Sequence, residues 1–111
     1  MKEEAGLFKT LGDPTRLRLA VLLAVKGETC VCHLASALEE PDYKVSRHLA
    51  VMRSTGLVEA RRQGTWIYYQ LSEPKNDFDR HLKDLLKTSL AEHPVVKSDC
   101  ERISRSTCRT Q

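Results

Sequence analysis

Residues 43–71 read YKVSRHLAVMRSTGLVEARRQGTWIYYQL, and the period of their apolar positions changes at Gly56. Before that glycine, Val45, Leu49 and Met52 recur at helical spacing, and Lys44, Ser46, Arg47 and His48 share the polar face. After it, Leu57–Gln63 and Trp66–Leu71 read as strands joined at Gly64-Thr65, a two-residue hairpin turn. A hairpin directly after a helix makes a wing. Upstream, Thr29 is placed to cap a helix running to Glu39 with Val31, Leu34, Ala35 and Leu38 inward, and Glu40-Pro41-Asp42 is a turn. Two short helices joined by a tight turn form a helix-turn-helix, whose second helix runs from Tyr43 to Ser54.

The flanks extend the pattern. Glu3–Leu11 is a short amphipathic helix ended by Gly12. Asp13-Pro14 opens a longer one, with Asp as N-cap and Pro at the first helical position, and Gly27 stops it. Beyond the hairpin, Glu73-Pro74 breaks the chain. A last helix runs from Asn76 or Asp77 to Glu92 with Phe78, Leu82, Leu85, Leu86 and Leu90 on one face, and Pro94 ends it. The expected fold class is α+β, mainly α: a winged helix-turn-helix of five helices and a two-stranded hairpin. Residues 1–94 form that domain, and 95–111 are expected as a flexible, polar tail holding two cysteines.

Charge is concentrated where the fold would meet a duplex. Between Tyr43 and Trp66 five basic residues, Lys44, Arg47, Arg53, Arg61 and Arg62, face one acid, Glu59. The local balance is +4 within a chain of net +3, so the remainder is close to neutral. A basic helix followed by a basic hairpin suits the DNA backbone. Lys44, Ser46, Arg47 and His48 sit near the helix start, where base edges are read in the major groove. Arg61, Arg62, Gln63 and Thr65 sit at the wing for phosphate or minor-groove contact, and Arg53 is placed to clamp a phosphate. Trp66, Tyr68 and Tyr69 alternate between faces, which fits hairpin packing better than base stacking.

With 111 residues, 41% apolar and 30% charged, the chain makes one small globular domain. No apolar run approaches membrane-spanning length, and MKEEAGLFKTLG lacks the layout of a secretion signal, so a cytoplasmic protein with reduced thiols is expected. No nucleophile–base arrangement or phosphate-binding glycine loop suggests an enzyme. The cysteines are Cys30, Cys32, Cys100 and Cys108. Cys30 and Cys32, in ETCVCHL (28–34), lie at a helix start, where thiolate is favoured, and thiolates select soft metals and metalloids. They fall beside the apolar stripe, which argues against simple core filling.

ETCVCHL together with KVSRHLAVMRSTGLVEARRQGTWIYYQL resembles the ArsR/SmtB family of metal-responsive repressors, and its arsenic-responsive branch most. The resemblance spans Leu7 to Leu71. It implies a homodimer that binds double-stranded operator DNA and releases it when arsenite or antimonite binds thiolates. It puts Cys30 and Cys32 on the first two ligand positions of the branch motif E-x-C-V-C-D-L-C. The third cysteine of that motif falls at Ala35. Either Cys100 or Cys108, of the same or the partner chain, supplies the third sulfur, or the site is two-coordinate and takes a species such as methylarsenite.

On a regular helix, residues two apart diverge, so Cys30 and Cys32 meet one atom only from an extended segment before the helix or after its start unwinds. Capture there would distort the segment beside the reading helix and oppose DNA binding. The first and last helices carry the apolar stripes available for a two-fold dimer. Asp79 and His81, with Glu92 and His93, only partly match the zinc-sensing branch. Rival readings are a zinc- or cadmium-responsive repressor, a thiol redox switch, and a metal-buffering protein that needs no DNA.

Overall fold

The computed structural model describes residues 1–106. Helices α1 (Lys2–Leu11) and α2 (Pro14–Lys26) lead into a short strand β1 (Thr29–Cys30). The helix-turn-helix comes next as α3 (Val31–Leu38) and α4 (Asp42–Ser54). Strands β2 (Val58–Gln63) and β3 (Trp66–Leu71) make the wing, and α5 (Asp77–Ser89) and α6 (Pro94–Arg105) complete the described chain.

α2 starts as its sequence dictates. Asp13 adopts extended backbone, its carboxylate accepts the Arg16 amide at 3.0 Å, and Pro14 occupies the first turn. Gly27 ends the helix at φ 78°, a conformation that favours glycine. Between these ends Leu19, Ala20, Val21, Leu22 and Leu23 are all buried, so α2 is the central post of the core. The stripe Val45, Leu49 and Met52 seats α4 on that core and turns Lys44, Arg47 and Arg53 outward.

β2 and β3 pair antiparallel from Val58↔Leu71 to Gln63↔Trp66 around Gly64, at φ 64°. The wing carries a third strand beyond the two expected from the sequence. β1 pairs with β3 through Thr29↔Tyr69 and Cys30↔Tyr68, giving the strand order β1-β3-β2. Thr29, expected to cap α3, is therefore a strand residue, and Cys30 is the N-cap. Two residues carry no readable period, so only the partner strand reveals them.

The C-terminal segment differs more. α5 stops at Ser89, and Pro94, read as a terminator, is instead the first residue of α6, with the His93 ring accepting the Val95 amide at 3.1 Å. Residues 95–105, expected as part of a flexible tail, are helical. Val96, Cys100 and Ile103, at helical spacing, pack against the core. Asp99, fully buried, accepts Arg18 through two bonds of 3.0 and 2.7 Å and Arg102 at 2.8 Å. Arg102 also donates to the Ala37 carbonyl at 2.6 Å, tying α6 to the end of α3. An ion network holds α6, so its composition looks like that of a tail.

Candidate functional site

The start of α4 presents Tyr43, 67% exposed, with exposed Lys44 and Arg47. The Arg47 guanidinium lies 5.8 Å from the centre of the Tyr43 ring. Ser46 and His48 are half-buried, and His48 faces the Asp13 carboxylate at 4.0 Å, toward the N-terminus of α2. Lys44 and Arg47 are therefore the exposed cations at this end of the helix. Arg53 stands at the other end of the helix, beside Lys2 and Lys75.

On the wing, Arg61, Arg62, Gln63 and Thr65 are exposed. Arg61 is engaged on three sides. Its Nε and one terminal nitrogen donate to the two Glu28 oxygens at 3.0 and 2.8 Å, and the other terminal nitrogen donates to Gln63 at 2.8 Å. Its guanidinium stacks 4.8 Å from the centre of the Tyr68 ring. Hydrogen bonding from Arg61 holds the Glu28 carboxyl below its ordinary range, against a smaller opposing effect of burial. The contribution of this pair is present above the ordinary carboxylate range and is lost as pH falls through the lowered value.

The sulfur pair is brought together by a backbone transition. Cys30 has extended backbone (φ −70°, ψ 145°) and lies outside the helix, whereas Cys32 is the second residue of α3. Their Sγ atoms are 3.4 Å apart. Of the two routes to convergence, an extended segment or an unwound helix start, this is the extended segment, and no helix need unwind. A metal–sulfur bond of about 2.3 Å closes that separation at an S–metal–S angle of about 95°, narrower than the tetrahedral angle of about 109°.

Cys30 is 4% exposed and Cys32 half-buried. With Val31 they floor an open cleft whose walls are Asp42 and Ser46 of α4 and Thr65, Trp66 and Ile67 of the wing. One cleft thus joins the sulfurs, the reading helix and the wing tip. Nothing in the spacing along the chain announces this meeting, because it depends on β1 joining the wing sheet.

Among the described residues no three His, Cys, Asp or Glu side chains are grouped to hold a metal. Cys100 sits on α6 against the core and does not complete a three-donor set. Cys108 lies outside the described residues. Asp79, considered for a zinc site, is buried and bound to Lys83 Nζ at 3.1 Å and to the Lys75 amide at 3.1 Å. His81 on the same helix is exposed.

A helix-turn-helix with a basic reading helix, followed directly by a hairpin, defines a winged helix-turn-helix DNA-binding regulator. Residues 13–60 match the family described as "Bacterial regulatory protein, arsR family". The chain is 52% identical over 66 residues to the arsenical resistance operon repressor of Escherichia coli K12, covering 60% of this chain and 56% of that protein. Here the chain spans a little over half the length of the relative it matches. It is 33% identical over 94 residues to a cadmium resistance regulatory protein, a CadC homolog of Staphylococcus aureus, covering 85% of this chain and 73% of that protein. The structure is similar to the homodimeric winged helix-turn-helix DNA-binding domain Mb0332 of Mycobacterium bovis, with a TM-score of 0.65, 33% identity, and coverage of 84% and 82%. The protein belongs to the ArsR family of transcriptional regulators. No helix among the described residues is long and apolar enough to cross a membrane.

Proposed function

We propose that the protein is a homodimeric repressor that holds operator DNA and releases it when trivalent arsenic or antimony is captured by cysteine thiolates. The observation that carries this reading is the position of two sulfurs, 3.4 Å apart, at the floor of a cleft between the reading helix and the wing. The narrow angle that this separation implies suits a pyramidal centre with a lone pair better than a tetrahedral ion. In the reduced protein, each thiol exchanges its proton for a bond to arsenic, and each displaced hydroxide leaves as water.

We assign the third sulfur to Cys108 of the same chain. Ser106 Oγ is hydrogen-bonded to the His33 ring, beside Cys32. Cys108 follows Ser106 by two positions in the chain. Capture by Cys30, Cys32 and Cys108 would fill the cleft and push the wing and α4 apart, so inducer and DNA bind antagonistically.

Lys44, Ser46 and Arg47 are the proposed major-groove residues, and Arg62, Gln63 and Thr65 the proposed wing contacts. Arg47→Ala is expected to weaken operator binding about tenfold, as loss of one good base contact does, and to relax preference at one position of each half-site. A panel of single-base operator variants, compared in wild type and mutant, checks this.

The dimer would bury Phe8 and Leu85, 57% and 51% exposed, on α1 and α5. An edge contact between Phe8 and Phe78, with ring centroids 5.6 Å apart, already joins these helices into one apolar face.

The test is a titration of the operator complex with arsenite, antimonite, cadmium and zinc, on the wild type, Cys108→Ser and Cys100→Ser under reducing conditions. Arsenite and antimonite are expected to raise the DNA Kd about a hundredfold. Cys108→Ser should need at least about tenfold more arsenite, and Cys100→Ser should match the wild type. An arsenite-saturated protein that holds its operator as tightly as before would overturn the reading, and an unaltered Cys108→Ser would overturn the ligand assignment.

A further inference from the structure

We propose that Arg61 is a positioning residue rather than a phosphate contact: with Glu28 it braces the wing to the strand that carries Cys30. Its second consequence, an effect on inducer response, rests on the reading that the inducer binds Cys30 and Cys32.

Three observations carry the proposal. First, three of the five N–H donors of Arg61 are committed. Both sides of its guanidinium fork meet Glu28 and Gln63, and its face lies on Tyr68. A phosphate could take the bidentate edge of the fork only by displacing a carboxylate of nearly the same shape. Arg62, one residue on, is likewise exposed but engages no carboxylate among the described residues.

Second, the sheet register aligns the parts. Arg61 pairs with Tyr68, and Tyr68 pairs with Cys30 on its other side. Residues opposite one another on antiparallel strands share a face, so one row runs from the wing arginine through the tyrosine ring to the sulfur residue.

Third, the row is closed into a ring. Glu28 lies two residues before Cys30, in a turn held by Gly27 and by the Thr29 hydroxyl donating to the Gly27 carbonyl at 2.8 Å. From Cys30 the chain runs back to Glu28, whose carboxylate returns to Arg61. A strand of two residues is marginal by itself, so β1 needs such a brace to move with the wing.

The test uses the full chain and its operator, with Arg61→Ala, Arg61→Lys, Glu28→Gln and Arg62→Ala. Arg62→Ala should lower the slope of log affinity against log salt by about 0.9, the value for one phosphate contact. Arg61→Ala and Arg61→Lys should leave the slope at its wild-type value. Amide exchange at Tyr68 and Cys30, followed without DNA or inducer, should accelerate about tenfold in Arg61→Ala, Arg61→Lys and Glu28→Gln, because lysine keeps the charge but not the fork. At saturating arsenite, the fold-change in DNA affinity should shrink about tenfold in the same three variants.

If Arg61→Ala lowers the slope as Arg62→Ala does while Arg61→Lys restores it, Arg61 is a phosphate contact and the proposal is wrong. Unchanged amide exchange in Glu28→Gln and Arg61→Ala would equally remove the brace. A wild type that arsenite does not release would count against the inducer reading alone, since slope and exchange still report on the brace.

Discussion

Cys30→Ser and Cys32→Ser, made singly, are each expected to keep operator affinity within about threefold of the wild type and to abolish release by arsenite, a change of about a hundredfold in the Kd ratio with and without inducer. Neither sulfur projects from the DNA-reading surface. Cys30 is buried at the N-cap of α3, and Cys32 lies half-buried in its first turn. Serine preserves the size of each site and the extended backbone that an N-cap requires. What it removes is a soft donor, and a hydroxyl does not replace thiolate toward arsenic or antimony. Fluorescence anisotropy of a labelled operator, with and without arsenite, measures both quantities on one sample. Full release from either serine variant would move the sensing site away from the cleft.

Asp99→Ala is expected to destabilise the protein by about 3 kcal/mol, the lower end of the cost of breaking a buried ion pair. The carboxylate is fully buried, but Arg18 and Arg102 keep 30% and 26% of their side-chain surface in solvent and can partly recover hydration. Asp99→Asn keeps the shape and one acceptor, and should cost less. The urea midpoint gives the magnitude. The location matters as much as the amount. Asp99 holds α6 to α2 through Arg18 and aligns Arg102 for the Ala37 carbonyl at the end of α3. Releasing α6 would also free Ser106 from His33, the contact from which the proposed Cys108 ligand is argued. Asp99→Ala should therefore raise the arsenite concentration needed for release, while leaving the α4 and wing contacts to DNA in place.

The parts of the fold legible in the sequence are those whose signals are local. The Asp13-Pro14 start of α2, the Val45–Leu49–Met52 stripe of α4 and the Gly64-Thr65 hairpin turn each rest on neighbours within a few residues, and each forms where expected. The sixth helix was hidden by its own chemistry. Its apolar stripe is thin, only Val96, Cys100 and Ile103, and it is seated by Asp99 and Arg102, residues that look solvated until Arg18 and the Ala37 carbonyl are known to face them. Pro94 reads equally well as the end of one helix or the first turn of the next, and only the packing of residues 95–105 against the core distinguishes the two.

The candidate site divides in the same way. The residues proposed for the chemistry were legible as types: cysteines at a helix start, a basic helix and a basic hairpin. Their relations were not. Arg61, expected at the wing for phosphate or minor-groove contact, has a partner, Glu28, that lies far away in sequence, and His48, expected on the polar face, turns toward Asp13. The winged helix-turn-helix could be read from the chain alone, since helical period, caps and hairpin turn are properties of short segments. That Cys30 is a strand residue, that the two sulfurs converge at 3.4 Å, and that they open between helix and wing became visible with the packing. The physical reason is that each of these depends on β1 pairing with β3, a contact between segments nearly forty residues apart whose two-residue partner is too short to leave a pattern of its own.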